Sequence, residues 1–222
     1  MLVYLAASFL AAPQLNILFL GNSHTASHDV PKMVQELIQS NGTRTRVSTK
    51  MIMTGFVEQL ANSKETKAEI NSRRWQVLVL QGAKLSNSHK NEYDHSGAVE
   101  VAKWGKQAGM KVLLFAEWPR RGWNETDYIL KEYREISGPS GARIVPICRV
   151  WDRLLSQKPR LDLWAPDGNH SSPLGAFTAA CTLAAFIAPT PNQLPGWRPQ
   201  TVDPRLAEEI KRLARDVALA TK

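Results

Sequence analysis

Three residues near opposite ends of the chain are of the types that form a hydrolytic triad. Ser23 stands in the sequence GNSHT, and Asp167 and His170 begin and end the sequence DGNH. The ordinary pKa of histidine suits general-base work near neutral pH, and a carboxylate beside it can orient the ring and stabilise the imidazolium. Each segment alone also has a plainer interpretation, because Ser23 can cap a helix and Asp167 with His170 can form an ordinary turn.

Four short apolar runs are typical of buried parallel strands, because they are nearly continuous, and a fifth, more polar segment also has the pattern of a strand. Segments with apolar residues at helical spacing separate them. The predicted strands are residues 15–20, 44–49, 75–80, 111–116 and 143–147, and the predicted helices are residues 30–40, 92–107, 125–137, 148–156, 172–187 and 204–219. This alternation predicts an α/β fold, a three-layer α/β/α sandwich around a central, mainly parallel five-stranded sheet.

Ligands of open parallel sheets bind beyond the carboxyl ends of the strands. Ser23 follows the first predicted strand, Gly21 permits a tight turn there, and the next helix offers free N–H groups to a developing oxyanion. Trp118 and Arg120 follow the fourth predicted strand and are expected to face the same crevice. There Trp118 can pack against a sugar ring, and Arg120 or Arg121 can meet a carboxylate or phosphate. The alternative is a tryptophan that covers the sheet edge beside an exposed arginine.

The combination of the two triad segments is more specific than either one. The sequences GNSHT, after the first predicted strand, and DGNHSSPLGAF, before a late helix, resemble blocks I and V of the SGNH (GDSL-like) hydrolase superfamily. The resemblance implies a flavodoxin-like fold with Ser23 as nucleophile, His170 as general base and Asp167 as the residue that orients it. Asn22 replaces the aspartate that is usual before the serine. The implied acyl transfer through a covalent intermediate requires no cofactor and no metal.

The middle blocks of the superfamily are less well matched. Its members supply an oxyanion-hole glycine after the second strand, for which Gly55 is a reasonable match, and an asparagine in a GxND motif after the third. Here the chain has Gln81, in the sequence LQGA. This resembles variant branches with a glutamine at this place, and the amide N–H of Gln81 is predicted to complete an oxyanion hole with the N–H groups of Ser23 and Gly55. The alternative is that Gln81 only orders the loop and leaves a two-donor hole.

Substrates of the superfamily range from carbohydrate O-acetyl esters to lipids, thioesters and aryl esters. A compact chain without a lid insertion and with a glutamine-type third block favours short acyl groups. The predicted substrate is therefore a small-molecule or carbohydrate ester that carries a short acyl group such as O-acetyl. A lysophospholipase or thioesterase is the alternative enzyme. A catalytically silent member that binds a glycan is the alternative from another class, and the missing GxND motif is its only support.

Composition limits the other classes of function. The 222 residues suit one α/β domain over residues 14–222, and the formal net charge of +8 is spread along the chain without a nucleic-acid motif. We therefore predict no nucleic-acid partner, whereas the oligomeric state is not readable from the sequence. No zinc-type cysteine and histidine spacing occurs, so no metal site is expected. Cys148 and Cys181 are predicted to be buried small hydrophobes, with a single bridge between them as the alternative.

The first 13 residues, MLVYLAASFLAAP, form an apolar run with small residues toward its end. The run resembles the apolar region and cleavage site of a signal peptide without its charged start, and it is too short to span a bilayer. It is predicted to be a signal-peptide remnant or an apolar arm. The first interpretation favours export, to the periplasm or outside the cell, over the cytoplasm. No stable membrane insertion is expected.

Overall fold

The structure, a computed structural model, describes residues 12–40, 44–188 and 196–221. All but the last two residues of the predicted signal-peptide remnant or apolar arm lie outside this part. The strands are β1 (Gln14–Gly21), β2 (Arg46–Met53), β3 (Val77–Leu80), β4 (Lys111–Ala116) and β5 (Arg143–Pro146). The α-helices are α1 (Ser23–Ala26), α2 (Val30–Gln39), α3 (Lys64–Asn71), α4 (Ser96–Gln107), α5 (Thr126–Ser140), α6 (Ile147–Gln157), α7 (Pro173–Ile187) and α8 (Pro204–Ala220).

The strands form one parallel sheet in the order β2-β1-β3-β4-β5. Because β1 pairs with β2 on one side and with β3 on the other, the direction in which the chain winds reverses between β1 and β3. Ligands of such sheets bind in the crevice beyond the carboxyl ends of the strands at this reversal. Ser23 follows β1 and Gln81 follows β3, so both residues lie at the crevice.

Two apolar layers cover the faces of the sheet. Alternate side chains of β1, such as Ile17 and Phe19, pack with α2, α6, α7 and α8, while Leu18 and Leu20 pack on the opposite face with α3, α4 and α5. All four of these side chains are fully buried, as expected for a strand covered on both faces. The predicted three-layer α/β/α sandwich with a parallel five-stranded sheet is confirmed.

Sequence patterning missed two α-helices, the short α1 and α3, and misplaced the ends of strand β2. Helix α3 was not predicted, because Thr66 and Ile70 are its only buried residues and leave little apolar periodicity to detect. Strand β2 begins two residues after the predicted start and continues to Met53. It is an edge strand with only Val47 fully buried, so its amphipathic pattern is weak.

The two cysteines are both buried and unbridged, so the alternative of a disulfide between Cys148 and Cys181 is wrong. Burial raises the pKa of both thiols above the ordinary value of a cysteine. They therefore pack as small apolar side chains. None of the helices among the described residues has the length and apolarity needed to cross a membrane.

Candidate active site

Ser23, His170 and Asp167 lie in one hydrogen-bonded series. His170 Nε2 is 2.8 Å from Ser23 Oγ, and His170 Nδ1 is 2.6 Å from Asp167 Oδ2. Hydrogen bonds from the His170 ring and from the backbone N–H groups of Asn169 and His170 lower the pKa of Asp167, which stays charged. The series can pass the hydroxyl proton of Ser23 to His170 while Asp167 holds the ring tautomer.

The conformation of the turn that carries Ser23 is held by close packing and by a helix cap. A Cβ atom on Gly21 would lie 2.5 Å from Thr25 Oγ1 and 3.0 Å from Gln81 Oε1, so only glycine fits at the end of β1. The side chain of Asn22 caps helix α1 by accepting from the N–H of His24 at 3.0 Å. Ser23 is thereby presented at the start of a helix with its hydroxyl exposed toward His170.

Gln81 does not have the predicted oxyanion-donor role. Its side chain is fully buried, and its Oε1 accepts from the N–H of Asn22 at 3.0 Å and from the hydroxyl of Thr25 at 2.9 Å. Its Nε2 faces Glu117 Oε2 at 3.5 Å, so the amide donor is directed at the carboxylate of Glu117. Since a backbone N–H can only donate, the orientation of the Gln81 amide is determined. The alternative, that Gln81 orders the loop under the nucleophile, describes the structure.

Two backbone donors remain beside Ser23, the candidate nucleophile. Within the described residues, neither the N–H of Ser23 nor the N–H of Gly55 donates a hydrogen bond. The two segments are held close together, because Asn22 Nδ2 donates to the carbonyl of Gly55 at 3.3 Å. Unpaired N–H groups at a nucleophilic serine are the kind of donor that stabilises an oxyanion. The two-donor hole is therefore the arrangement that these residues can form.

The loop that carries Asp167 and His170 is supported by residues that follow β4. Trp118 Nε1 donates to the carbonyl of Asn169 at 2.9 Å, and the N–H of Arg121 donates to the carbonyl of Gly168 at 2.8 Å. Trp118 is only 3% exposed. The ring of Trp118 is thus largely buried and its N–H supports the histidine loop, although Trp118 is among the residues that line the pocket described below. Contact between Trp118 and a sugar ring stays a prediction.

Arg120 is also engaged within the protein. Its guanidinium donates to both carboxylate oxygens of Glu125 and to the carbonyl of Asn87. These contacts neutralise the charge that was predicted to meet a substrate carboxylate or phosphate. Arg120 does line the pocket beside the triad, so contact between its side chain and a substrate stays a prediction.

A pocket of about 160 Å³ lies beside the triad, beyond the carboxyl ends of β3 and β4. Two carboxyl groups, those of Glu117 and Glu125, contribute to its lining. Amide side chains and aromatic rings also line it, among them Asn22, Asn87, Asn169, Phe56 and Tyr128, together with the aliphatic side chains of Ala83, Leu85 and Ile129. A larger groove of about 760 Å³ between α4 and α5 is lined by none of the predicted site residues.

Glu117 is a titratable group of the pocket with a strongly altered pKa. Burial raises the pKa of Glu117 to about 7, although hydrogen bonds from Tyr133 and Gln81 favour the charged form. Tyr133 donates to Glu117 Oε2 at 2.6 Å. Sequence patterning offers no signal for this raised pKa, because Glu117 is one acidic residue after a strand and its desolvation arises only in the fold.

Replacing Glu117 with glutamine is expected to stabilise the protein at neutral and alkaline pH. The folded pKa of about 7 lies above the ordinary value of 4.5, so the wild type loses stability as the pH rises from 4.5 to 7. The free energy of unfolding of Glu117→Gln should exceed that of the wild type by about 3 kcal/mol above neutral pH, and by close to zero near pH 4. Urea unfolding at several pH values measures this difference.

The exposed residue Glu100 offers a control, because Glu100→Gln should leave the pH dependence of unfolding unchanged. A constant difference between Glu117→Gln and the wild type at all pH values would show that Glu117 carries no raised pKa.

Comparison with known proteins agrees with the architecture. No protein-family model and no curated protein matches the chain. A proposed SGNH hydrolase from Slackia heliotrinireducens is similar in structure, with a TM-score of 0.59 at 22% sequence identity over 77% of this chain and 97% of its own. A family 3 carbohydrate esterase from Clostridium thermocellum has a TM-score of 0.56 at 13% identity, over 75% of this chain and 92% of its own.

An acetyl xylan esterase from Geobacillus stearothermophilus, solved as a variant, is similar with a TM-score of 0.55 at 14% identity, over 79% of this chain and 94% of its own. The chain has the fold of the SGNH hydrolases. Identities of this size establish the shared fold and leave the substrate to be argued from the site.

Proposed function

We propose that the protein is a serine esterase that hydrolyses short acyl esters, with O-acetyl groups on carbohydrates as the substrate class. The observation that carries this proposal is the unbroken hydrogen-bonded series from Ser23 through His170 to Asp167. A protein that only binds a ligand has no need of a serine, a base and an orienting carboxylate in this order. The catalytically silent alternative is therefore disfavoured.

The reaction follows from this geometry. His170 Nε2 accepts the hydroxyl proton of Ser23 while Ser23 Oγ forms a bond to the ester carbonyl carbon. The N–H groups of Ser23 and Gly55 then stabilise the oxyanion, and one such donor is commonly worth roughly 2.7–4 kcal/mol of barrier. His170 returns the proton to the alcohol as the ester bond breaks, which leaves an acyl-serine and a free alcohol.

Hydrolysis of the acyl-serine completes the cycle. His170 takes a proton from a water molecule, whose oxygen attacks the acyl carbon, and then returns this proton to Ser23 Oγ as the acid leaves. The side chains of His170 and Asp167 are 33% and 50% exposed, so water has access to this side of the site. No residue outside the triad and the two backbone donors is required for either half of the reaction.

The pocket supports a short acyl group. Its volume of about 160 Å³ is small for a ligand pocket, and the carboxyl groups of Glu117 and Glu125 are part of its lining. A long acyl chain gains free energy only where it meets apolar surface, and carboxyl groups would lose hydration beside it. The lysophospholipase and thioesterase alternatives call for a broad apolar groove, which this pocket does not provide.

The polar lining also supports a hydroxylated alcohol such as a sugar. Tyr133 and Gln81 both donate to Glu117 Oε2. Within the described residues, no side chain donates to Glu117 Oε1, so this oxygen can accept a hydrogen bond from a hydroxyl group. Trp123 is 54% exposed, and the Arg120 guanidinium lies 4.4 Å from the centre of its ring. Since Arg120 lines the pocket, Trp123 offers a flat aromatic surface near its mouth. Trp123 is therefore a second candidate for sugar contact, beside Trp118.

Hydrolysis of p-nitrophenyl acetate, butyrate and octanoate tests the proposal. We expect kcat/KM to fall by about tenfold or more from acetate to octanoate, because each added methylene must enter a small polar pocket. Release of acetate from acetylated xylo-oligosaccharides then tests the carbohydrate class. A rate that rises with chain length would favour a lipid esterase or thioesterase. Failure to hydrolyse any ester would overturn the proposed function.

A further inference from the structure

One partly buried histidine beside the candidate nucleophile has no part in the triad. The ring of His24 stacks on the ring of His170, with 5.1 Å between the ring centres and 26° between the planes. On its other side the ring of His24 meets Trp118, with 5.2 Å between the centres. His24 therefore lies between the candidate base and the protein core.

The rings continue into the core as an aromatic column, defined by His170, His24, Trp118, Trp151 and Trp164. Trp118 and Trp151 are parallel, with 4.8 Å between their centres and 6° between their planes, and Trp151 meets Trp164 edge to face. Trp151 is fully buried. Because closely packed rings cannot tilt independently, the core end of the column limits the movement of His24 and, through it, of His170.

His170 needs such support because its surroundings are open. Its side chain is 33% exposed and lies on a loop, and Asp167, its hydrogen-bond partner, is 50% exposed. Among the described residues, His24 is the only aromatic ring that stacks on His170. The hydrogen bond to Asp167 holds the Nδ1 edge of the His170 ring. Rotation of the ring about this hydrogen bond is limited by His24, which stacks on one face of the ring.

His24 also keeps a neutral ring against His170. Burial, assisted by the charge of His170, lowers the pKa of His24 to about 4, and the other titratable group that faces it is Asp167. When His170 takes the proton of Ser23, it becomes an imidazolium. A neutral aromatic face beside a cation is attractive, whereas a second imidazolium at this distance would repel it.

We propose that His24 is a positioning residue that holds the ring of His170 in line with Ser23 and favours its protonated form during the reaction. This inference rests on the proposed function, because it assigns His170 the role of base. It predicts that a flat uncharged ring is the required property at position 24, since the ring stacks on His170 and meets Trp118 at a tilt of 44°. The ring Nδ1 of His24 also lies 3.3 Å from Asn22 Oδ1, and the proposal assigns no role to this contact.

The variants His24→Ala and His24→Phe test the proposal. Alanine removes the ring, and phenylalanine keeps a flat ring that cannot be protonated; both keep the backbone N–H that donates to Asn22. For p-nitrophenyl acetate, we expect kcat of His24→Ala to fall by about 10- to 100-fold with KM changed by less than about threefold. His24→Phe should recover kcat to within about threefold, with a pH profile that overlays the wild type from about pH 5 to 8.

Nitrogen-15 NMR of the histidine rings gives a readout that does not require turnover. We expect the Nδ1–H proton of His170, held by Asp167, to be sharp in the wild type and in His24→Phe and to be broadened by exchange in His24→Ala. Wild-type kcat and NMR signals in His24→Ala would overturn the proposal, and so would a His24→Phe variant as impaired as His24→Ala. If the wild type hydrolyses no ester, the proposed function fails and the NMR signals alone decide the role of His24.

Discussion

Replacing Ser23 with alanine is expected to lower kcat for p-nitrophenyl acetate by about 10⁴-fold or more, because no other atom in the site can form the acyl intermediate. The hydroxyl of Ser23 is the one that faces His170 Nε2, at 2.8 Å. Binding and the two oxyanion donors survive the substitution, so a residual rate above that of water is also expected. Steady-state hydrolysis at high enzyme concentration measures both effects.

Ser27→Ala is the matched control for this substitution. Ser27 lies in the same turn, and its backbone N–H, which donates to the carbonyl of Ser23, is retained in the variant. We expect Ser27→Ala to keep wild-type kcat. Loss of activity in both variants would indicate damage to the turn, and retention of activity in Ser23→Ala would remove Ser23 as the nucleophile.

Asp167→Asn is expected to lower kcat by about 10³- to 10⁴-fold near neutral pH, because the variant favours the tautomer of His170 that cannot accept the proton of Ser23. Asp167 Oδ1 accepts from the N–H groups of Asn169 and His170, both at 2.9 Å. The amide oxygen of the variant will keep these two donors, which leaves its NH₂ group facing His170 Nδ1. The ring proton must then move to Nε2, where it prevents acceptance of the proton of Ser23.

Asp162→Asn is the control for Asp167→Asn, because Asp162 pairs with Arg121 at 2.8 Å beneath the same loop. This pair is solvent-exposed, so its loss should change kcat by less than about threefold. Hydrolysis of p-nitrophenyl acetate across the pH range compares the two variants. An Asp167→Asn variant with more than about a tenth of wild-type activity would contradict an orienting role for Asp167.

The sheet was predictable from sequence because its central strands are continuous apolar runs. In β1 the residues from Ile17 to Leu20 are all fully buried, and such runs bounded by turn residues have few other interpretations. Helix α3 escaped prediction because it buries only Thr66 and Ile70. Its position is set by contacts with α4, which the local sequence does not reveal.

The candidate triad was predictable for a different reason. Ser23 stands in one short motif, and Asp167 and His170 stand in another. The order of these motifs along the chain indicates their roles, and the predicted sheet is enough to bring them to the same crevice. The direction of the Gln81 amide was not predictable. It is determined by Glu117 and by the N–H of Asn22, which come from other strand ends.

The roles of the aromatic residues were also not predictable from the sequence. Trp118 stands at the end of a strand facing the crevice, and nothing in the sequence distinguishes a ring that contacts substrate from one that supports a catalytic loop. The distinction depends on Trp151 and Asn169, which hold Trp118 from two sides. The stacking of His24 on His170 has the same origin, since the two histidines meet only after the chain folds.

Labelling with a fluorophosphonate probe, followed by mass spectrometry of the proteolytic peptides, tests the central claim most directly. The probe forms a stable bond only to a serine activated by a neighbouring base. We expect one adduct, on the peptide that contains Ser23, in the wild type and none in Ser23→Ala. An unlabelled wild type, or an adduct on any other residue, would contradict the assignment of Ser23 as the nucleophile of a serine esterase.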